Sequence, residues 1–347
     1  MRGAKLAFQI AAVYIGTVVG AGFASGQEVY QFFGRFGAWG YLGILLATGL
    51  FAWWGHRLLA LGAECRATSF RDLTARMLPP WLARAVDALI VAMLLGTTIA
   101  MLAGTGALFR EQLHAPYALG VACAIAVTAA TSAFGVRGLV GANAAIVPSL
   151  CIFAAGIGLI NFAEPANRPA ILHPPANPGA IWPAITSAFV YAAMNVGLSV
   201  GVLVPLGGRI QEPAALRNGA LIGAAGLGIL LLAVTATLFA HAPEAYQYAV
   251  PMGHIALGYP RAVSLLFIAV LFGEIYSTLV GNLYSVLGER PSTHGRRLAA
   301  AGLILCACAI FTAFGFRAIV QYGYTAFGWM ALWLLTVLTF AQPLKTP

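Results

Sequence analysis

Charge is what this sequence has least of. Only 8% of its 347 residues are Asp, Glu, Lys or Arg, against 61% hydrophobic. A soluble domain of this length does not carry that much apolar surface, so the scarcity excludes a soluble fold and implies a polytopic membrane protein. The five cysteines, Cys65, Cys123, Cys151, Cys306 and Cys308, lie mostly in apolar runs. An odd number without metal-type spacing excludes a disulfide frame and a zinc site. The pattern H-E-x-x-H is missing, the one match to G-x-S-x-G (Gly197 to Gly201) lies inside an apolar span, and the six histidines fall mostly in loops or at span ends. That leaves an intramembrane enzyme without a histidine base or metal ligands beside a nucleophile. No convincing cleavage site follows Arg2 and Lys5, so the first apolar run reads as a retained span and not a leader. The net charge of +9 reads as basic residues kept in cytoplasmic loops, with no nucleic acid implied.

What is present is span after span. A membrane helix needs about 20 mostly apolar residues. Ten candidates begin near Lys5, Trp39, Arg84, Pro116, Val140, Ala180, Arg217, Ala262, Leu298 and Ile319. Three connections are long: Ala63 to Pro80, the proline-rich Glu164 to Pro178, and His241 to Pro260, which is expected to cap one face. With the N-terminus inside, fourteen of the 19 lysines and arginines fall on the cytoplasmic side. Only Arg35, Arg110, Arg168, Arg261 and Arg317 fall outside. That bias places both termini in the cytoplasm and supports an even number of spans.

Spans one, two, three and five recur as spans six, seven, eight and ten at a near-constant offset of about 175 to 179 residues. The constancy implies a duplicated five-helix unit. Five is odd, so the second copy enters the membrane from the other side. The expected fold is therefore all-α, with ten transmembrane helices in a 5+5 inverted repeat. Residues 1–162 form the first repeat, 163–179 an extracytoplasmic linker, and 180–347 the second repeat.

Span one carries Gly16, Gly20, Gly22 and Gly26 with Ser25, closed by Gln27 and Glu28. Each glycine costs a helix about 1 kcal/mol relative to alanine, and serine competes for backbone hydrogen bonds. The corresponding part of span six reads Asn195-Val-Gly197-Leu-Ser199-Val-Gly201, followed by Pro205. Both helices are expected to break at mid-membrane and to offer bare peptide groups to a polar solute.

These residues resemble a known group. Gly16-x-x-Val19-Gly20-x-Gly22 is similar to the first-helix motif of LeuT-fold transporters, including the amino acid–polyamine–organocation superfamily. The longer Gly20-Ala-Gly-Phe-Ala-Ser-Gly-Gln-Glu28 resembles the YkvI-type bacterial membrane proteins of that superfamily. The resemblance implies an alternating-access secondary transporter in a bacterial inner membrane, with a site between spans one, three, six and eight. It implies that amides near Ala21 and Gly22 hold a substrate carboxylate and that carbonyls around Asn195 to Ser199 receive an amine. The expected solute site is Gly20, Ala21, Gly22 and Ser25, with Thr97 and Met101 in span three and Tyr191, Asn195, Gly197 and Ser199 in span six.

Glu274 lies within an apolar span, where an ionised carboxylate costs several kcal/mol unless matched. Ser277 and Thr278 share its helix face, and Asn282 continues the stripe. The resemblance implies a sodium site built from carbonyls of Gly16 and Val19 and hydroxyls of Ser277 and Thr278. Span five has no lysine or arginine to replace the ion, which favours sodium slightly, although Glu274 could instead carry a proton. Glu28 is expected to pair with Arg317 or Arg35 as a gate. The functional expectation is ion-coupled transport of a small amino acid or related amine. The alternative is a ligand-sensing membrane subunit on the same fold.

Overall fold

The computed structural model describes residues 2–134, 137–175, 178–287 and 294–340. Every regular element among them is helical. Helix α1 (Arg2–Val18) stops and resumes as α2 (Ala21–Ala24) and α3 (Gln27–Phe32). Helix α4 (Ala38–Glu64) runs back, and the short α5 (Phe70–Met77) precedes α6 (Pro80–Gln112). Helices α7 (Tyr117–Phe134), α8 (Arg137–Ala163) and α9 (Arg168–Leu172) complete the first half. The second half holds α10 (Ile181–Arg209), α11 (Pro213–Ala240), α12 (Pro251–Leu257), α13 (Arg261–Leu287), α14 (His294–Ile310), α15 (Phe316–Ala318) and α16 (Thr325–Phe340).

Among the described residues, eight helical stretches are long and apolar enough to cross a membrane. They lie in α4, α6, α8, α10, α11, α13, residues 294–314 and residues 316–340. Two shorter apolar helices, Gly3–Val18 and Tyr117–Thr131, accompany them. Their outward side chains, such as Leu45, Ile152, Ile229, Leu303 and Phe340, are exposed in the isolated chain, as a lipid-facing shell requires.

Glycines set the tightest packing. A side chain at Gly62 of α4 would collide with the Val204 carbonyl of α10, and one at Gly207 with the Leu59 carbonyl. The second such pair is α1 on α11, where Gly219 faces Ile10 and Gly223 faces Tyr14. Small residues let these backbones meet where no hydrophobic force acts between helices in lipid. The Tyr14 hydroxyl donates to the Phe51 carbonyl (2.9 Å) and ties α1 to α4 as well.

The expected break in span six is not formed: α10 is one helix over 29 residues. Its polar residues bond to their own helix. Asn195 Nδ2 donates to the Tyr191 carbonyl (3.1 Å), and Ser199 Oγ donates to the Asn195 carbonyl (2.7 Å). Its glycines serve close approach instead. Gly197 lies against Ala331 of α16, Gly207 against α4, and Gly208 against Ala67. Packing on both sides outweighs the helix cost of glycine, and Pro205 is carried inside the helix.

The 241–260 segment does form a cap. It folds as a helical turn at Glu244–Gln247 and then α12. Met252 N–H donates to the Ser25 carbonyl (2.9 Å) between α2 and α3. The Glu111 carboxylate at the end of α6 accepts from Ala249 N–H (2.9 Å) and Val250 N–H (3.0 Å). At the other end, α5 begins at Ser69, whose side chain accepts from Asp72 N–H (3.1 Å). Arg76 bonds the same Asp72 (2.8 Å) and holds its carboxyl below the usual carboxylate range.

Candidate functional site

The interruption in span one is local. Val19 N–H still reaches the Ile15 carbonyl (2.8 Å), after which Gly20 is extended, at φ −114° and ψ −175°. The Gly20 carbonyl then accepts from Ala24 N–H (2.9 Å) and opens α2. A helix that ends this way leaves its last carbonyls without partners in their own ladder. A side chain at Gly20 would meet nothing within 4 Å, because the extended residue borders a cavity of about 390 Å³. Residues Gly16 to Gly22 all line that cavity. Helices α6, α10 and α13 supply the other walls, together with Tyr324.

Of the expected solute residues, Gly20, Ala21, Gly22, Thr97, Met101 and Asn195 line the cavity. Four do not. Ser25 closes the turn between α2 and α3, donating to the Gly22 carbonyl (2.8 Å) and accepting from Gln27 N–H (3.2 Å). Tyr191 is fully buried in a cluster of rings from Phe32, Phe33 and Phe51. Gly197 and Ser199 face packing partners, as described for α10.

The expected gate pair is not formed. Arg317 donates to the carbonyls of Tyr246 and of Tyr248 (3.1 Å) in the cap, and Arg35 lies over the Phe36 ring (4.7 Å). Glu28 is buried in the site instead, 5% exposed, and lines the cavity. Its Oε1 accepts from Asn195 Nδ2 (3.4 Å), which joins span one to α10. Its other oxygen sits against Gly22, so that a side chain there would strike it. The absence of a side chain at Gly22 is what lets the carboxylate lie on the restarting helix.

The ion-site residues converge. Gly16, Val19, Glu274, Ser277 and Thr278 all line the same cavity. Glu274 is 4% exposed, and its Oε2 is buried with no hydrogen-bond partner. Ser277 Oγ donates to the Glu274 carbonyl (3.1 Å), which leaves its lone pairs free to face a ligand. One turn on, Asn282 Nδ2 donates to Thr97 Oγ1 (2.9 Å) and Thr98 Oγ1 (3.3 Å), locking α13 to α6. Thr97 is thus a wall residue whose hydroxyl is already engaged.

The cavity has a direction. From α10 it takes Asn195, Leu198 and Gly201, and from α13 Glu274, Ser277 and Ser285, all running toward the bundle end where α1 starts. Phe70 of α5 also lines it there. Toward the cap, the space between Ala21, Ser25, Met101 and Val250 shrinks to about 10 Å³. Phe70 is a residue that the sequence reading missed, having treated 63–80 as a charged connection. Ser69 and Asp72 at capping spacing, before Leu73 and Met77, carry the signal of an amphipathic helix. Tyr324 ends a π-helical stretch at Ile319–Tyr324 that places its ring near Gly22, a geometry with no sequence signature.

Comparison with known proteins decides the family. No family model matches the chain. Over 333 residues it is 32% identical to the uncharacterized membrane protein YkvI of Bacillus subtilis, covering 94% of this chain and 93% of the relative. The chain belongs to the YkvI family of membrane proteins. The Bacillus subtilis protein YyaD is a more distant relative of this YkvI-family chain, 26% identical over 93% of each. Among solved structures, MhsT in complex with L-phenylalanine superposes at a TM-score of 0.69 with 15% identity, covering 94% of this chain and 87% of that one. A manganese transporter of Eremococcus coleocola superposes at 0.63 with 15% identity, covering 96% and 78%. A Na+-coupled sialic acid symporter superposes at 0.62 with 12% identity, covering 96% and 77%. At such low identity these likenesses establish the fold, and it is the LeuT fold.

Proposed function

We propose that this YkvI-family protein is an ion-coupled, alternating-access secondary transporter for a small amine-bearing solute, an amino acid or a related amine. The observation that carries the reading is the cavity: an interrupted helix lends its backbone to a space walled by three further helices, with two buried carboxylates on it. Irregular backbone at membrane depth is tolerated where it borders such a space. The structural neighbours named above bear on this reading through their own activities, one being a Na+-coupled symporter and another a manganese transporter.

The ten-span count and the 5+5 inverted repeat belong to this proposal. They are supported by pairings that an inverted repeat requires. Span one packs on span seven as span six packs on span two, each through glycines. Spans three and eight then pair with each other, as α6 and α13 do. The proposal puts the chain in a bacterial inner membrane with both termini in the cytoplasm, an orientation that the basic-residue bias supports. In that orientation the cavity faces inward and the cap lies outside.

Sodium is favoured over the proton as coupling ion. Gly16 at the end of α1, Val19 just past it, and the hydroxyl-bearing Ser277 and Thr278 line one cavity with Glu274. Hard oxygen donors of this kind suit a hard cation. The test is reconstitution into proteoliposomes with an imposed sodium or proton gradient, screening amines and amino acids for uptake. Sodium-driven accumulation is the expected result. Accumulation driven only by a proton gradient would reassign Glu274 as the proton carrier, and no exchange of any bound compound would end the transporter reading.

A further inference from the structure

Glu28 and Glu274 both line the cavity, and among the described residues no lysine, arginine or histidine does. Both carboxylates are buried, at 5% and 4% exposure. Burying a charge is costly unless an opposite charge or a full set of hydrogen bonds meets it. Glu28 accepts from Asn195 with the Tyr191 hydroxyl beside it, and Glu274 keeps an oxygen with no partner at all. With both carboxylates ionised, such a site has a deficit of positive charge. A zwitterionic amino acid would fill part of it with its ammonium group, but would bring a third carboxylate into a space that has no cationic side chain to receive it, a sodium ion at Glu274 being already matched by that carboxylate.

The amides near Ala21 and Gly22, expected from the resemblance to hold a solute carboxylate, already have a carboxylate beside them. The Glu28 carboxylate lies over Gly22, at the restart of the first helix. The chain thus carries its own carboxylate at the spot where span one offers bare backbone.

We infer that the cavity takes a cationic organic amine that has no carboxylate of its own, with Glu28 as the counter-charge for the ammonium group. The inference rests on the cavity being the solute site proposed above and narrows its substrate class. Size and walls fit an organic body. A space of about 390 Å³ is in the range of small-molecule pockets, roughly 300–1,000 Å³. Met101, Met194 and Leu198 give it apolar walls, and Tyr324 adds an aromatic ring of the kind that attracts ammonium groups. A bare divalent metal is a poorer occupant. Among the described residues, no group of three or more His, Cys, Asp or Glu could hold one.

The test is binding to the full chain in lipid nanodiscs, read by thermal shift and calorimetry, with matched pairs. Ethanolamine is set against serine, isobutylamine against valine, and phenethylamine against phenylalanine, with manganese chloride as a further ligand. At least one amine is expected to raise the melting temperature while its parent amino acid does not. Glu28→Gln is expected to weaken that amine about tenfold or more, as loss of a hydrogen-bonded charge partner does. If Glu28→Gln fails to fold, the paired comparison on the unaltered protein decides alone. Amino acids binding as well as or better than their amines would overturn the inference. So would manganese binding without any amine, or no binding by any of the compounds. An amine that binds but is not exchanged across proteoliposomes leaves this inference standing and removes the transport reading instead.

Discussion

Glu274 and Gly22 are the two residues at which local chemistry separates function from stability. The Glu274 Oε2 atom is buried and unpartnered, so the native fold gains nothing from its charge, and a coupling cation would. Glu274→Gln removes the charge and keeps the shape. Gradient-driven uptake is expected to fall about tenfold or more, the effect of losing a charged partner, with the melting temperature unchanged or raised. Unaltered uptake with unaltered ion dependence would remove Glu274 from the ion site. At Gly22 an added methyl meets the mobile end of a side chain, the Glu28 carboxylate, and not backbone. Gly22→Ala is therefore expected to fold normally yet to displace Glu28 and weaken ligand binding by about tenfold; calorimetry on the purified variant checks both. Glu274 was legible because a carboxylate inside an apolar run has few structural reasons to be there. The partner of Glu28 was not legible. Sequence shows which charges exist, and the pairing of Arg317 with cap carbonyls instead of Glu28 is a matter of where the cap folds.

Two helices with the same sequence signal take opposite courses. In span one, Gly20 sits beside open space, and the helix stops there. In α10, Gly197, Gly207 and Gly208 sit against Ala331, Leu59 and Ala67, and the helix continues, carrying Gly201 beside open space. Composition alone cannot separate these cases, because a glycine weakens the backbone in both and only the neighbours decide whether packing repays it. Gly207 is thus a packing residue. Gly207→Ala drives a methyl into the Leu59 carbonyl, and overpacking of this kind costs about 1–3 kcal/mol. A lowered melting temperature in detergent is expected. Gly201→Ala, where nothing lies within 4 Å, is expected to be neutral and serves as its control. At α5, sequence did contain what was needed, in a capped start and apolar positions three and seven apart. Ser69→Ala removes the cap, at about 1 kcal/mol. Faster hydrogen exchange across 70–77 is the expected readout.

At the scale of the whole molecule, the two ends of the cavity are closed by different means. The cap end is held by hydrogen bonds to backbone: Glu111 on Ala249 and Val250, Met252 on Ser25, and Arg317 on Tyr246 and Tyr248. At the other end Phe70 packs at the cavity and the partly exposed pair Arg71–Asp87 (3.4 Å) joins α5 to α6, and the cavity runs toward this end. Few bonds hold the cap, so few need to break for the molecule to change which end is open, and each biases the balance between two states by its own free energy. A charged acceptor on two N–H groups is worth about 1.5–3 kcal/mol, and Glu111→Gln weakens it. In a cysteine-free background, a cysteine at Gly201 of the otherwise unaltered protein is expected to react with a membrane-impermeant thiol reagent from the N-terminal side. A cysteine at Ser25, 2% exposed, is expected to be inert. Adding Glu111→Gln should raise labelling at Ser25 from the opposite side several-fold and lower it at Gly201. The two changes must be reciprocal, because one cavity reaches one end at a time in an alternating-access carrier. Labelling that rises at both positions would describe a pore, and labelling that responds at neither would mean that the cap is not what holds this end shut.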